Sequence, residues 1–357
     1  MHALKILIIG LVFLAIVVAL FAYRNLNYDY MNETFMDKTG EKLGFTEKQA
    51  VLDDGSVLNY GEGPANGPPL LLLHGQQASW RDYAKVLPDL SEEFHVFAVD
   101  YHGHGKSTKA AEKYKADIMG RDLVWFMDHV IQRPSYVSGH SSGALLAAWL
   151  AANNAEAVIA LVLEDGPFFS TEPGRAENTF AYKGFEAMHD FLNQDEIDSY
   201  THYSLLHDPM IEIFDRQGEG FWEKAVRGPA LRYMKKHPGK IPRLWFYPPE
   251  LGVNAIFELT RNVQDGTGDY DLHFGVSFYD FSWFDGFDQE ETLKAIQAPT
   301  LVMQVNPSRE TAPDYHDANG MLLSAMDRKD AERVCRLIPN SRYMTGFDSM
   351  HDIHADC

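Results

Sequence analysis

Cysteine is nearly absent from this chain: Cys335 and Cys357 are its only two in 357 residues. Two thiols cannot build a disulfide framework, and they are not spaced as C-x-x-C, so structural zinc and dithiol redox chemistry drop out. Positive charge is scarce too. With 31 Lys and Arg against 51 Asp and Glu the formal net charge is −20. Phosphate backbones repel such a chain unless a local basic patch compensates, and no patch stands out, which argues against nucleic acid as a partner. Internal repeats and low-complexity tracts are missing, and the 27 Gly and 17 Pro follow no collagen-like period. What is there is 45% hydrophobic and 13% aromatic, enough to fill one large α/β unit or a core carrying a sizeable insertion.

Charge is absent altogether from Ile6 to Tyr23, between Lys5 and Arg24. Such a run approaches the length that crosses a bilayer's hydrocarbon core as a helix. Residues 1–27 therefore read as a membrane anchor or a signal segment. The run exceeds a usual signal-peptide apolar region, and Val17-Val18-Ala19 and Leu20-Phe21-Ala22 match a cleavage site only loosely, which favours an uncleaved anchor. Lys5 and the terminal amine favour a cytoplasmic start, with the acidic bulk outside the cytoplasm, or secreted if the segment is cleaved. The polar stretch at 28–47 reads as a linker.

From Lys48 onward the pattern becomes rhythmic. Asp54-Gly55 sits between two strand-like runs, as in a hairpin. Pro69 to Leu73, Phe94 to Val99, Ser135 to Ser138 and Ala157 to Leu163 are short apolar strands, and helical spacing separates them at Trp80 to Leu90, Ile118 to Ile131 and Ser142 to Asn153. Alternation of this kind implies a mostly parallel, doubly wound sheet covered on both faces. The rhythm stops over 168–283, which reads as a mainly helical insertion. It resumes over 284–357, with strands at Thr300 to Gln304 and Arg342 to Thr345. The core is thus expected at 48–167 and 284–357.

Gly139-His140-Ser141-Ser142-Gly143 fits G-x-S-x-G between an apolar strand and a small-residue helix. A nucleophile on so sharp a turn needs neighbours without bulk two residues to either side, which the glycines supply. Ser141 would then stand at a helix amino end, where free N–H groups favour developing negative charge. The N–H of Ser142 is one candidate oxyanion donor, and that of Gln76, in the His74-Gly75-Gln76 loop after the first apolar strand, is the other.

These features, with Asp100-Tyr101-His102-Gly103-His104-Gly105-Lys106-Ser107, Glu164-Asp165-Gly166-Pro167 and a late histidine, resemble the α/β-hydrolase fold in its capped, esterase-like form, over roughly Lys48 to Asp356. The resemblance implies a cap at 168–283 and a triad in the order Ser, acid, His. It matches Ser141 to the nucleophile and His351 to the base. Where that family most often carries its acid this chain has Asn306, so Asp165, after the preceding core strand, is the first candidate. Glu310 is the second, and Asn306 would give a weakened triad. Asp165 has a competing role in an Asx turn. His102 and His104 read as turn residues. His351 and His354 form an H-x-x-H pair, but no third ligand accompanies them, so no metal is expected, and no cofactor. The family usually continues past the histidine into a closing helix of a dozen or more residues, whereas this chain stops at Cys357.

The resulting expectation is a serine hydrolase of acyl bonds, foremost a carboxylic ester of a small apolar substrate. Alternatives on the same fold are carbon–carbon, thioester or peptide hydrolysis, or a binding protein without catalysis. The rings at Phe168, Phe169, Trp222, Trp245, Phe246, Tyr247, Trp283 and Phe284 would either line an apolar substrate site or form the insertion's own core. The oligomeric state is left open.

Overall fold

A computed structural model describes the chain except for residues 1, 216, 217, 219, 263–267 and 308–313. Helix α1 (His2–Leu26) is exposed from Leu4 to Phe21, with nothing packed on that apolar surface, and meets the rest of the protein at Arg24 and Asn25. The described strands form one eight-stranded sheet. They are β1 (Thr46–Val51), β2 (Val57–Glu62), β3 (Pro69–Leu73), β4 (His95–Asp100), β5 (Ser135–His140), β6 (Val158–Glu164), β7 (Thr300–Val305) and β8 (Ser341–Phe347). Their spatial order is β1-β2-β4-β3-β5-β6-β7-β8. The hairpin β1–β2 and the β2–β4 pair are antiparallel and the remaining pairs parallel.

The sequence makes this sheet two-sided. In β3, Leu71 and Leu73 point into the main core with Phe97 and Val99 of β4, while Leu70 and Leu72 join Val96, Ala98 and Trp80 on the other face. Because both faces are covered, the strands read as unbroken apolar runs. Helices α2 (Leu87–Glu93), α3 (Ala116–Phe126) and α4 (Ser142–Asn153) fill the crossovers. The α4 helix is buried almost throughout, so it is mostly Ala and Leu, with no charge where a surface helix would carry it.

Between β6 and β7 come α5 (Phe180–Leu192), α6 (Tyr200–His207), α7 (Met210–Asp215), α8 (Gly228–Lys236), α9 (Val253–Asn262), α10 (Leu272–Tyr279) and α11 (Gln289–Ala295). Part of this segment has its own small core, with Leu205, Trp222, Val226, Leu244 and Phe257 buried together. The rings of Phe168, Phe169 and Trp283 are buried in the main cluster. They are core, as is Trp222, whereas Trp245 and Phe246 are exposed. Helices α12 (Arg328–Leu337) and α13 (Ile353–Asp356) flank β8.

One expectation changes. The stretch read as a linker is anchored, because Phe35 and Phe45 are buried against each other and Phe35 meets Trp80 edge-on at 5.9 Å. Isolated rings in a polar stretch carry no period, so the sequence pattern hides them.

Candidate active site

The site assembles at the carboxyl ends of the parallel strands. At the end of β5 the chain turns directly into α4, and Ser141 takes φ 54°, ψ −123°, a backbone region in which a non-glycine residue is strained. A Cβ on Gly139 would collide with the carbonyl of Gly143, and one on Gly143 with the carbonyls of Leu73 and His74. Both positions must be glycine for the turn to close. The loop after β3 lies against the turn as well, since a Cβ on Gly75 would lie 3.1 Å from that of Ser141.

Among the described residues, the N–H groups of Gln76 and Ser142 take no hydrogen-bond partner, and two unspent donors on these loops are what an oxyanion needs. The Gln76 side chain is held from above, its Oε1 accepting from the Tyr270 hydroxyl at 2.7 Å. The Ser142 hydroxyl is paired with that of Tyr101 at 2.8 Å.

At the end of β6, Asp165 adopts φ 42° and is completely buried. Its Oδ2 accepts from His351 Nδ1 at 2.7 Å. This bond settles the imidazole's tautomer, because a donating Nδ1 leaves Nε2 to accept a proton. Burial raises the Asp165 carboxyl, and its bond to His351 opposes that rise. At His351 burial works against the imidazolium, yet the hydrogen bond and charge of Asp165 prevail and push it up to about 9. The ring is 36% exposed, so water screens part of that attraction. The main-chain N–H of Asn306 donates to the Phe347 carbonyl at 2.9 Å, which ties β7 to β8, and the bond that His351 Nδ1 makes is to Asp165. Glu310 lies outside the described residues.

A second pair lies beside the first. His354 Nδ1 bonds Glu164 Oε1 at 2.8 Å, and its Nε2 is 3.4 Å from Asp82 Oδ2. Burial opposes charge here too, but Asp82 and Glu164 push the ring up to about 10. His140 fills the space between the histidines, its centroid 4.5 Å from His351 and 5.1 Å from His354. Burial, then those two neighbours, push it well below its usual range, so it stays neutral. Sequence reasoning missed the role of His354. The available signal was Glu164 next to Asp165, two acids leaving one strand end toward an H-x-x-H run.

Geometry undoes the H-x-x-H metal pair, since the two rings face different carboxylates. A different trio, His140, His351 and Asp352, places one ligand atom each within 4.8 Å of one another. His351 has already committed Nδ1 to Asp165, and ligation through Nε2 would remove its last nitrogen from proton transfer. His102 pairs with Asp122 at 2.9 Å, and His104 packs among Tyr101, Tyr270 and Phe274. Both stiffen their loop, as expected of turn residues.

Residues 68–356 match a family model described as the alpha/beta hydrolase fold. Over 90 residues the chain is 41% identical to the magnesium-chelatase 30 kDa subunit of Rhodobacter capsulatus, covering 25% of this chain and 32% of that one. It is 34% identical over 120 residues to the soluble epoxide hydrolase of Corynebacterium sp. strain C12, covering 34% and 41%. These matches span a third to two fifths of the relatives' own length. A crystal structure of a membrane phospholipase A, described as a bacterial virulence factor, aligns with a TM-score of 0.55 at 19% identity, over 99% of this chain and 94% of that one; at that identity the likeness is one of fold. Sheet order, the turn at Ser141 and the match across 68–356 agree, and the chain belongs to the alpha/beta-hydrolase family.

Proposed function

We propose that this protein is a membrane-anchored serine hydrolase that cleaves carboxylic esters of apolar acids. The observation that carries the reading is the 2.7 Å bond between Asp165 and His351, at the same sheet edge as a serine in strained elbow geometry. In the proposed reaction His351 Nε2 takes the Ser141 proton as Oγ adds to the ester carbonyl, and the N–H groups of Gln76 and Ser142 hold the resulting oxyanion. Asp165 holds the imidazolium in place. Collapse of the intermediate breaks the bond to the alcohol, which leaves with the proton from His351. Water, deprotonated by the same ring, then releases the acid and restores Ser141.

Relatives named as epoxide hydrolases do not redirect this reading. Epoxide opening on this fold calls for a carboxylate nucleophile, and position 141 carries a hydroxyl. The Tyr270 bond to Gln76 brings the aromatic surroundings of α10 to the oxyanion loop and supports an apolar acyl group. On this reading the β6–β7 helices act as a cap and α1 as the anchor, with the body outside the cytoplasm.

The test is labelling with a fluorophosphonate, followed by hydrolysis of p-nitrophenyl esters of increasing acyl length. Fast labelling of wild type, none of Ser141→Ala, and turnover that rises with chain length are expected. A protein that binds these esters without labelling or turnover would instead be a ligand-binding member of the family.

A further inference from the structure

We propose that the exposed side chains of residues 235–251 rest on an anionic lipid surface, beside the point where α1 leaves the bilayer. The proposal goes beyond the hydrolase reading but rests on its claim that α1 remains in the chain as an anchor.

The charge-free run from Ile6 to Tyr23 is about 27 Å long as a helix, close to the thickness of a hydrocarbon core. Immediately after it, the chain is fastened to one stretch of the inserted segment. The buried Asn25 carboxamide donates to the Trp245 carbonyl at 2.7 Å, and Arg24 pairs with Glu250. Arg243 donates to the Tyr28 carbonyl at 3.0 Å and lies over the Tyr30 ring at 4.9 Å. Wherever the helix inserts, residues 243–250 are held within about a turn of its end.

That stretch carries the side chains an interface selects. Trp245, Phe246 and Leu251 are 46%, 41% and 59% exposed, and Tyr23 and Tyr28 are exposed beside them. Of the six tryptophans Trp245 is the exposed one. Amphipathic rings collect at the headgroup level of membranes, where one edge is wet and the other dry.

Charge supplies a second, independent argument. The whole-chain balance conceals a local basic run, contrary to the expectation that no basic patch is present. Between Glu223 and Glu250 there are seven Lys and Arg and no Asp or Glu, in a chain of net charge −20. Lys235, Lys236 and Lys240 are exposed, and among the described residues none has a carboxylate partner. Arg243 and Arg261 nearby are already neutralised by Glu258 and Glu33, so the attraction belongs to the lysines. Basic residues beside a membrane helix are drawn to anionic headgroups and released by salt. An acidic protein with its positive charge gathered next to its anchor would settle with this face down and its other surfaces repelled.

The test uses the full chain reconstituted in phosphatidylcholine vesicles with or without phosphatidylglycerol, the acyl chains brominated to quench tryptophan. With phosphatidylglycerol present, bromine should remove a share of emission that Trp245→Phe abolishes. Lys235→Glu, Lys236→Glu and Lys240→Glu together should reduce that share at least threefold, as should 0.5 M salt. Unchanged fluorophosphonate labelling shows that the variants are folded. If α1 resists carbonate extraction and quenching does not depend on Trp245, the proposal falls while the anchor stands. Equal quenching without phosphatidylglycerol and in the lysine variant refutes the anionic surface. A blue-shifted, unquenched Trp245 that follows protein density would put a second copy there and also overturns it. Release of α1 by carbonate removes the anchor reading itself, and this proposal with it.

Discussion

His351 and His354 stand three residues apart, and each reaches a carboxylate from the end of β6, Asp165 for one and Glu164 for the other, at 2.7 and 2.8 Å. The bonds are nearly the same and the surroundings are not. The His351 ring is 36% exposed, with one nitrogen still to spend. The His354 ring is 7% exposed and lies between two carboxylates, with a nitrogen toward each. A histidine bonded on one side and open on the other can move a proton. One enclosed by negative charge on both sides holds its proton and serves as a fastening. Access to the second nitrogen separates the roles, more than the strength of the first bond does.

The sharpest way to break this contrast is at the serine that His351 is proposed to serve. Ser141→Ala should lower ester turnover by about 10⁶, with both histidine pairs intact; a variant retaining a few per cent of activity would show that the open histidine works for another group. Next come the two acids. Asp165→Asn should cost about 10⁴ in turnover and Glu164→Gln far less, and the reverse order in steady-state assays would exchange the roles assigned to the pairs.

Stability should show the opposite ranking. His354→Gln breaks a buried pair and should destabilise the fold by about 3 kcal/mol, measured by denaturant unfolding, while turnover changes little. Because the folded state raises this group above its ordinary 6.5, toward about 10, its contribution is complete below pH 6.5 and fades as pH rises through 10. The stability gap between wild type and variant should narrow over that window. The smallest effect is in the activity profile. Catalysis needs the neutral His351 ring, whose pKa is raised, so kcat/KM should still be climbing above pH 6.5. In Asp165→Asn the residual activity should reach its plateau at lower pH.

The contrast also marks how far the sequence could be read. Strands such as β3 were legible because burial on both faces writes itself as an unbroken Leu run, and the turn at Ser141 because its geometry admits only glycine at 139 and 143. The candidate acid was not legible in this way. Asp165 and Asn306 follow neighbouring strands, and only three-dimensional reach distinguishes them. His354 reads from its spacing as half of an H-x-x-H pair, because spacing reports neighbours along the chain and not those across the sheet. The basic run at 224–249 was hidden by averaging, and Phe35 by its polar context.

The positive φ at the turn has a further consequence. Ser141, at φ 54° and ψ −123°, holds a side chain where the backbone would relax as glycine, at roughly 1–3 kcal/mol. At this position the fold would therefore be more robust without the hydroxyl side chain than with it. Ser141→Gly should melt above wild type while hydrolysing nothing, the signature of a protein whose working residue burdens the structure that carries it.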